Sequence, residues 1–174
     1  NHVLEIIWTV IPVLILVSVA FPTVEAAFLT ATPPEGAMTV RATGYRWWFA
    51  FEYPELGIVT ANELRIPVGQ PIRLELTSND VIHSFWVPKL AGKTDMIPGR
   101  VNVAWIQADE PDVYVGQCAE FCGDSHANMR FTVRAMPAEE FEEWVQQRQA
   151  MAQGPRELSA VAARGRELFE SNVG

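Results

Sequence analysis

Positive charge is scarce in this sequence, and ahead of Arg41 there is no lysine or arginine at all. Lysine occurs twice, at Lys89 and Lys93, and arginine eleven times, against 21 acidic residues and a formal net charge of −8. A chain of that sign lacks the basic face that phosphate binding needs, which excludes nucleic acid as a partner. The imbalance is spread out: residues 29–137 hold 12 acids and 9 bases, residues 138–174 hold 7 acids and 4 bases. The central segment is only mildly acidic, so a basic protein partner is permitted rather than demanded. No internal repeat and no low-complexity stretch occurs along the chain.

Charge of either sign is missing from residues 6–24, IIWTVIPVLILVSVAFPTV. A helix of about 19 residues is about 28 Å long, close to the hydrocarbon thickness of a bilayer. Trp8 and Phe28 would sit at the two interfaces. Pro12 and Pro22 are tolerated in a membrane helix and argue against an unbroken soluble one. A signal peptide wants a basic segment before a shorter apolar run, and here only Glu5 and His2 precede it. Residues 1–28 are therefore expected to be a membrane-spanning helix. The scarcity of bases leaves its orientation undecided by charge.

After a Pro/Gly connector, residues 29–36, short β-type runs follow: MTVRATGYRWWFAFEY, NELRIPV, PIRLELTSN, VNVAWIQA, DVYVGQ and RFTVRAM. ELGIV, VGQP and DEPD supply turns between them. Short strands at this spacing predict an antiparallel sandwich or barrel over residues 37–137. Arg73, Leu74, Glu75, Leu76 and Thr77 alternate as a half-exposed sheet face does. Trp47 and Trp48, taken as neighbours in one strand, should face opposite sides, with one packed inward. Pro137 then opens a helix over residues 138–152, whose first turns carry Glu139, Glu140, Glu142 and Glu143 as a solvated acidic cluster. A break at Gln153–Gly154–Pro155 and a second helix over residues 158–169 complete the pattern.

Cysteine is nearly absent as well, with Cys118 and Cys122 as the only two. A disulfide, a reactive thiol and a metal site are the three readings of such a pair. The surrounding segment VGQCAEFCGDSHANM adds His126 and Met129 in the order C-x3-C-x3-H-x2-M, and His83 closes a predicted strand upstream. Thiolate, imidazole and thioether form a soft donor set that suits copper rather than Mg, Ca or Mn. A thioether also counts against a structural zinc site, which uses Cys and His. Two thiolates are one more than a mononuclear blue-copper site uses. Two bridging thiolates can hold two copper ions, each completed by one imidazole and one weak ligand, Met129 on one and a backbone carbonyl on the other. Such a site moves electrons rather than making and breaking bonds. A Cys–His nucleophile would need a substrate cleft and an orienting third group, and neither is visible.

HSFWVPKLAGKTDMIPGR followed by GQCAEFCGDSHANM resembles subunit II of cytochrome c oxidase, with its binuclear copper centre. EIIWTVIPVLILV resembles the second membrane helix of that family and GYRWWFAFEY its aromatic segment. The resemblance implies a mainly β fold: a cupredoxin-like Greek-key β-barrel or sandwich with an N-terminal transmembrane helix and C-terminal helices. It implies that His83, Cys118, Cys122, His126 and Met129 ligate copper with their side chains and Glu120 with its backbone carbonyl. The Glu120 side chain would reach a Mg ion at the boundary with the catalytic subunit. Trp47 would be where cytochrome c delivers its electron, Asp95 and Arg100 would line the contact with the catalytic subunit, and Glu5 would stand at a proton-channel entrance.

The same resemblance implies an electron relay in a bacterial inner membrane, with the copper domain on the periplasmic side. Its partners would be a catalytic haem–copper oxidase subunit, cytochrome c and membrane lipid. The chain itself would not reduce oxygen. The family pairs two membrane helices, and this chain begins at Asn1 just before the second. ARGRELFESNVG resembles the lead-in helix of a c-type cytochrome. Residues 153–174 are thus expected to be a linker and the start of a fused cytochrome domain, with haem c beyond Gly174. The rival readings are a copper subunit of a nitric oxide or nitrous oxide reductase, a copper-free quinol-oxidase-type subunit, and a disulfide-bonded exported binding domain.

Overall fold

The structure, a computed structural model, describes residues 1–152 and 158–171. The expected break at Gln153–Gly154–Pro155 lies outside the described residues. Helix α1 spans His2–Ala31 with Pro12 and Pro22 inside it and buries none of its residues. A helix apolar all round with none of its residues buried is built for a lipid solvent. Its four hydroxyls, on Thr9, Ser18, Thr23 and Thr30, all donate back to carbonyls one turn earlier. That leaves no hydroxyl unsatisfied on the helix surface between residues 6 and 24, as hydrocarbon requires.

Ten strands follow: β1 Met38–Tyr45, β2 Trp48–Tyr53, β3 Ile58–Ala61, β4 Glu63–Pro67, β5 Ile72–Ser78, β6 His83–Trp86, β7 Thr94–Met96, β8 Asn102–Ile106, β9 Asp112–Cys118 and β10 Arg130–Met136. They form two five-stranded sheets, β3-β2-β1-β5-β8 and β4-β10-β9-β6-β7. Inward residues alternate along the strands, as in β5, where Ile72, Leu74, Leu76 and Ser78 are buried and Arg73, Glu75 and Thr77 are not. The sheets are not purely antiparallel, contrary to expectation. β1 pairs with β5 and β4 with β10 in parallel. The chain changes sheets after β3, where Asn62 turns the corner at φ 57°, and again after β4. Successive strands reverse direction, so β5, four strands after β1, and β10, six after β4, run the same way as their partners, whereas β8, three after β5, runs against it.

The run MTVRATGYRWWFAFEY is a hairpin, not one strand. β1 and β2 pair antiparallel from Tyr45↔Trp48 to Arg41↔Glu52, with Arg46 and Trp47 as the turn. This overturns the expectation that one of the two tryptophans packs inward. Trp47 is 38% exposed and Trp48 37%. Trp47 lies in the turn, and Trp48 stacks on Tyr45 with ring centroids 4.7 Å apart. The inward aromatics of β2 are Phe49, Phe51 and Tyr53. Phe49 and Phe51 join Phe85 and Phe131 in the aromatic heart of the core, whose neighbouring ring centroids lie 4.7 to 6.4 Å apart.

Helix α2, Ala138–Ala152, follows Pro137 and buries Phe141 and Trp144 against the sandwich, leaving Glu139 and Glu140 in solvent. Trp144 meets Tyr53 edge-on at 5.5 Å, and the Arg65 guanidinium lies 5.4 Å from the Trp144 ring centre. Helix α3 spans Ala160–Ser171 and buries nothing.

Candidate metal centre

Three loops at one end of the sandwich supply the site. β9 delivers Cys118 at its last residue, and the Cys118 N–H donates to the Met129 carbonyl at 2.9 Å. That bond closes the loop carrying Glu120, Cys122, a 3-10 turn over His126–Asn128, and Met129. β6 begins on His83, which is fully buried. The hairpin turn between β1 and β2 lays Trp47 alongside, its indole N–H donating to the Cys122 carbonyl at 3.2 Å.

The donor atoms of all five candidate side chains converge. Cys118 Sγ and Cys122 Sγ are 3.8 Å apart. His83 Nδ1 lies 3.8 Å from Cys118 Sγ, His126 Nδ1 lies 3.4 Å from Cys122 Sγ, and Met129 Sδ lies 3.7 Å from Cys122 Sγ. The Glu120 carbonyl oxygen stands 3.2 Å from Cys118 Sγ. A disulfide needs about 2.05 Å between sulfurs, so the thiols are free. Imidazole and thiolate bond a first-row metal such as zinc at about 2.0–2.3 Å, which puts two donors on one ion roughly 3.3–3.8 Å apart. The spacings seen here match that, and the donor chemistry fits a soft metal. His83, Cys118 and Cys122 also form the one group of three His, Cys or acidic side chains placed to hold an ion among the described residues.

Electrostatics point the same way. Burial, and then the Cys118 sulfur beside it, push the Cys122 thiol up to about 12. Two thiolates side by side in a buried site therefore need cationic charge brought to them, and metal ions supply it. The two imidazoles differ. His83 is held from behind: its Nε2–H donates to Asp80 Oδ1 at 2.8 Å, which leaves Nδ1 bare toward the sulfurs. His126 is half-buried, with the exposed Phe121 ring edge-on at 5.7 Å.

Three contributors were not anticipated from sequence. Asp80 was legible as a carboxylate three residues before a candidate ligand, the usual partner for the far nitrogen of a ligating imidazole. Burial alone would raise its pKa, yet hydrogen bonds from the Arg46 N–H, the His83 ring and the Val81 N–H outweigh it and hold the carboxyl at about 2. Phe49 gives its ring edge to His83 at 6.4 Å. Gly44 permits that ring to approach β1, because a Cβ there would stand 2.7 Å from His83 Cδ2. Gly44→Ala is expected to push His83 off its position and weaken metal retention roughly tenfold or more; metal analysis after challenge with a chelator reads this directly.

The remaining candidates lie outside the donor cluster. Glu120 turns its side chain away and pairs with Lys93 at 3.7 Å. Asp95, on β7, stands opposite Ser84, whose carbonyl accepts the Ala119 N–H, so Asp95, Lys93 and Glu120 share one edge. Arg100 is exposed in the turn before β8. Glu5 sits in the first turn of α1, 3.3 Å from His2 Nδ1, at the end of the helix opposite the one leading into β1.

Comparison with known proteins adds an independent line. Residues 57–136 match the family described as cytochrome c oxidase subunit II, periplasmic domain, and residues 1–26 match the transmembrane domain of the same subunit. Cytochrome c oxidase subunit 2 of Alkalihalophilus pseudofirmus is 43% identical over 99% of this chain and 52% of the relative. Quinol oxidase subunit 2 of Bacillus cereus is 37% identical over 87% of this chain and 54% of the relative. The chain spans about half the length of the curated relatives it matches. The crystal structure of the periplasmic domain of subunit II of the Bradyrhizobium japonicum cytochrome oxidase superposes with a TM-score of 0.66. It is 32% identical, and the match covers 69% of this chain and 99% of that one. The ten-stranded sandwich, the apolar helix that precedes it and these matches agree: the chain belongs to the cytochrome c oxidase subunit II family.

Proposed function

We propose that the chain is the electron-accepting subunit of a membrane haem–copper oxidase and holds a binuclear copper centre. The observation that carries this is the convergence of two free thiols, two imidazole Nδ1 atoms, a thioether and a carbonyl at spacings of 3.2 to 3.8 Å. His83, Cys118, Cys122, His126 and Met129 would ligate through their side chains and Glu120 through its carbonyl. When bound, the copper pair would take single electrons from a cytochrome c and release them to a haem of the catalytic subunit. The chain's own residues shape that traffic. Their preformed positions, buried at His83, Cys118, Cys122 and Met129, mean that little has to move as the charge changes, and the core aromatics behind Cys118 and His83 keep water out.

Trp47 is the proposed point of electron acceptance, being both open to a partner and bonded to the Cys122 carbonyl. An exposed tryptophan of this kind also makes a strong docking anchor. Trp47→Phe is expected to slow electron uptake from reduced cytochrome c at least tenfold, about 1.4 kcal/mol of barrier, with the copper spectrum intact; stopped-flow mixing measures it, and an unaltered rate places acceptance elsewhere. Asp95 and Arg100 would face the catalytic subunit, the Glu120 carboxylate would reach a Mg ion at that boundary, and Glu5 would open a proton path. Helix α1 would cross a bacterial inner membrane with the copper domain on its periplasmic side, and α3 would lead into a tethered cytochrome.

Electron paramagnetic resonance with metal analysis on the copper-loaded, oxidised full chain in detergent tests the proposal. About two coppers sharing one unpaired electron is the expected result. One localised copper would make the site mononuclear. A chain that takes up no copper would move it to the quinol-oxidase type of subunit.

A further inference from the structure

The geometry points to Asp80 as the positioning residue of the centre: a single carboxylate that sets the His83 ring with one oxygen and anchors the Trp47 hairpin with the other. This rests on the copper reading above. Oδ1 accepts the His83 Nε2–H at 2.8 Å and the Val81 N–H at 2.6 Å. Oδ2 accepts the Arg46 N–H at 2.8 Å, with Arg46 Nε at 3.6 Å. The carboxylate is itself held, because the Asp80 N–H donates to Ser78 Oγ at 3.3 Å and the Ser78 hydroxyl donates to the Val81 carbonyl. Arg46 is the residue before Trp47, and Trp47 reaches the metal loop through the Cys122 carbonyl. The hairpin thus meets the centre at two points, one on each thiol's side, and Asp80 makes one of them.

Two consequences follow from chemistry. A neutral imidazole carries one proton, so donation from Nε2 to a carboxylate commits Nδ1 to be the lone-pair nitrogen, the one aimed at Cys118. That donation also makes Nδ1 more basic, which favours the oxidised metal and lowers the reduction potential. Among the described residues no carboxylate bonds the His126 ring, which meets the Cys122 sulfur and the Phe121 ring instead. The two imidazoles are therefore unequal, and the tuning comes from the His83 side.

The test compares the full chain in detergent as wild type, Asp80→Ala and Asp80→Asn. In the copper-free protein, ring-nitrogen NMR shifts of His83 report its tautomer. In the copper-loaded protein, competition with a chelator reports retention and redox titration reports potential. Asp80→Ala should mix the two tautomers and weaken retention 10- to 100-fold. Asparagine keeps one acceptor oxygen, which can stay on the His83 ring and the Val81 N–H while its amide NH2 replaces the oxygen that accepts the Arg46 N–H and loses that bond. Asp80→Asn should then retain the Nε2–H tautomer, hold copper more tightly than Asp80→Ala, and shift the potential upward relative to wild type. A wild-type tautomer in Asp80→Ala overturns the proposal, and so does wild-type copper retention in that variant. Failure of the wild type to take up copper sinks the copper reading instead, while the tautomer measurement still decides the role of Asp80.

Discussion

Cys118→Ser is expected to abolish the two-copper signature and leave no more than one copper per chain. Cys118 Sγ gathers the His83 Nδ1 and the Glu120 carbonyl, at 3.8 and 3.2 Å. Cys122 by contrast gathers His126 and Met129, at 3.4 and 3.7 Å. Removing the first sulfur strips one half of its bridge and leaves the second half as a Cys–His–Met set, close to what a mononuclear blue-copper site uses. A serine hydroxyl does not substitute, being a hard donor that stays protonated at neutral pH. The unpaired electron should then be localised on a single ion, with a correspondingly wider hyperfine pattern. An unchanged two-copper spectrum in this variant would remove the bridging assignment.

Phe131→Ala is expected to destabilise the domain by about 3–5 kcal/mol, a large share of the 5–15 kcal/mol typical of a whole domain. Phe131 is the hub of the aromatic core, with ring centroids 4.7 Å from Phe49, 4.8 Å from Phe85 and 5.6 Å from Phe51. It also fills the space over Gly116, its partner on β9, where an added Cβ would collide with the ring. The resulting cavity lies two residues from Cys118 on β9 and two from Met129 ahead of β10, so the metal loop should loosen as well. Chemical denaturation of the copper-free protein measures the first effect, and copper retention the second. A loss below about 1 kcal/mol would mean that the surrounding rings collapse into the gap.

Much of this architecture can be read along the chain because the relevant physics is local. The uncharged run at residues 6–24 and the alternation in β5 are periodic signals that need no knowledge of distant contacts. The donor cluster is legible for a related reason, since Cys118, Cys122, His126 and Met129 share one short loop and their chemistry restricts the metal. The hairpin at Arg46–Trp47 was not legible. Its turn carries none of the usual Gly, Asn or Pro markers, and aromatics flank it on both sides, so it reads as continuous strand. The parallel pairs β1·β5 and β4·β10 were hidden too, because they depend on which sheet the chain enters after each crossover.

The amino-acid sequence by itself determined that one apolar helix precedes a β-rich domain and that a soft, sulfur-rich donor set lies within a single loop. Both follow from composition and spacing over fewer than twenty residues at a time. Only the tertiary structure decided that His83 arrives from another strand with its Nδ1 turned to the sulfurs. It alone showed Asp80 bridging that ring to the Arg46 N–H, and both tryptophans of the hairpin left exposed. The Asp80–His83 bond spans three residues, but the contacts that give it meaning, Asp80 to Arg46 and His83 to Cys118, join residues 34 and 35 positions apart, and separations of that length are set by how the two sheets pack, which no local pattern records.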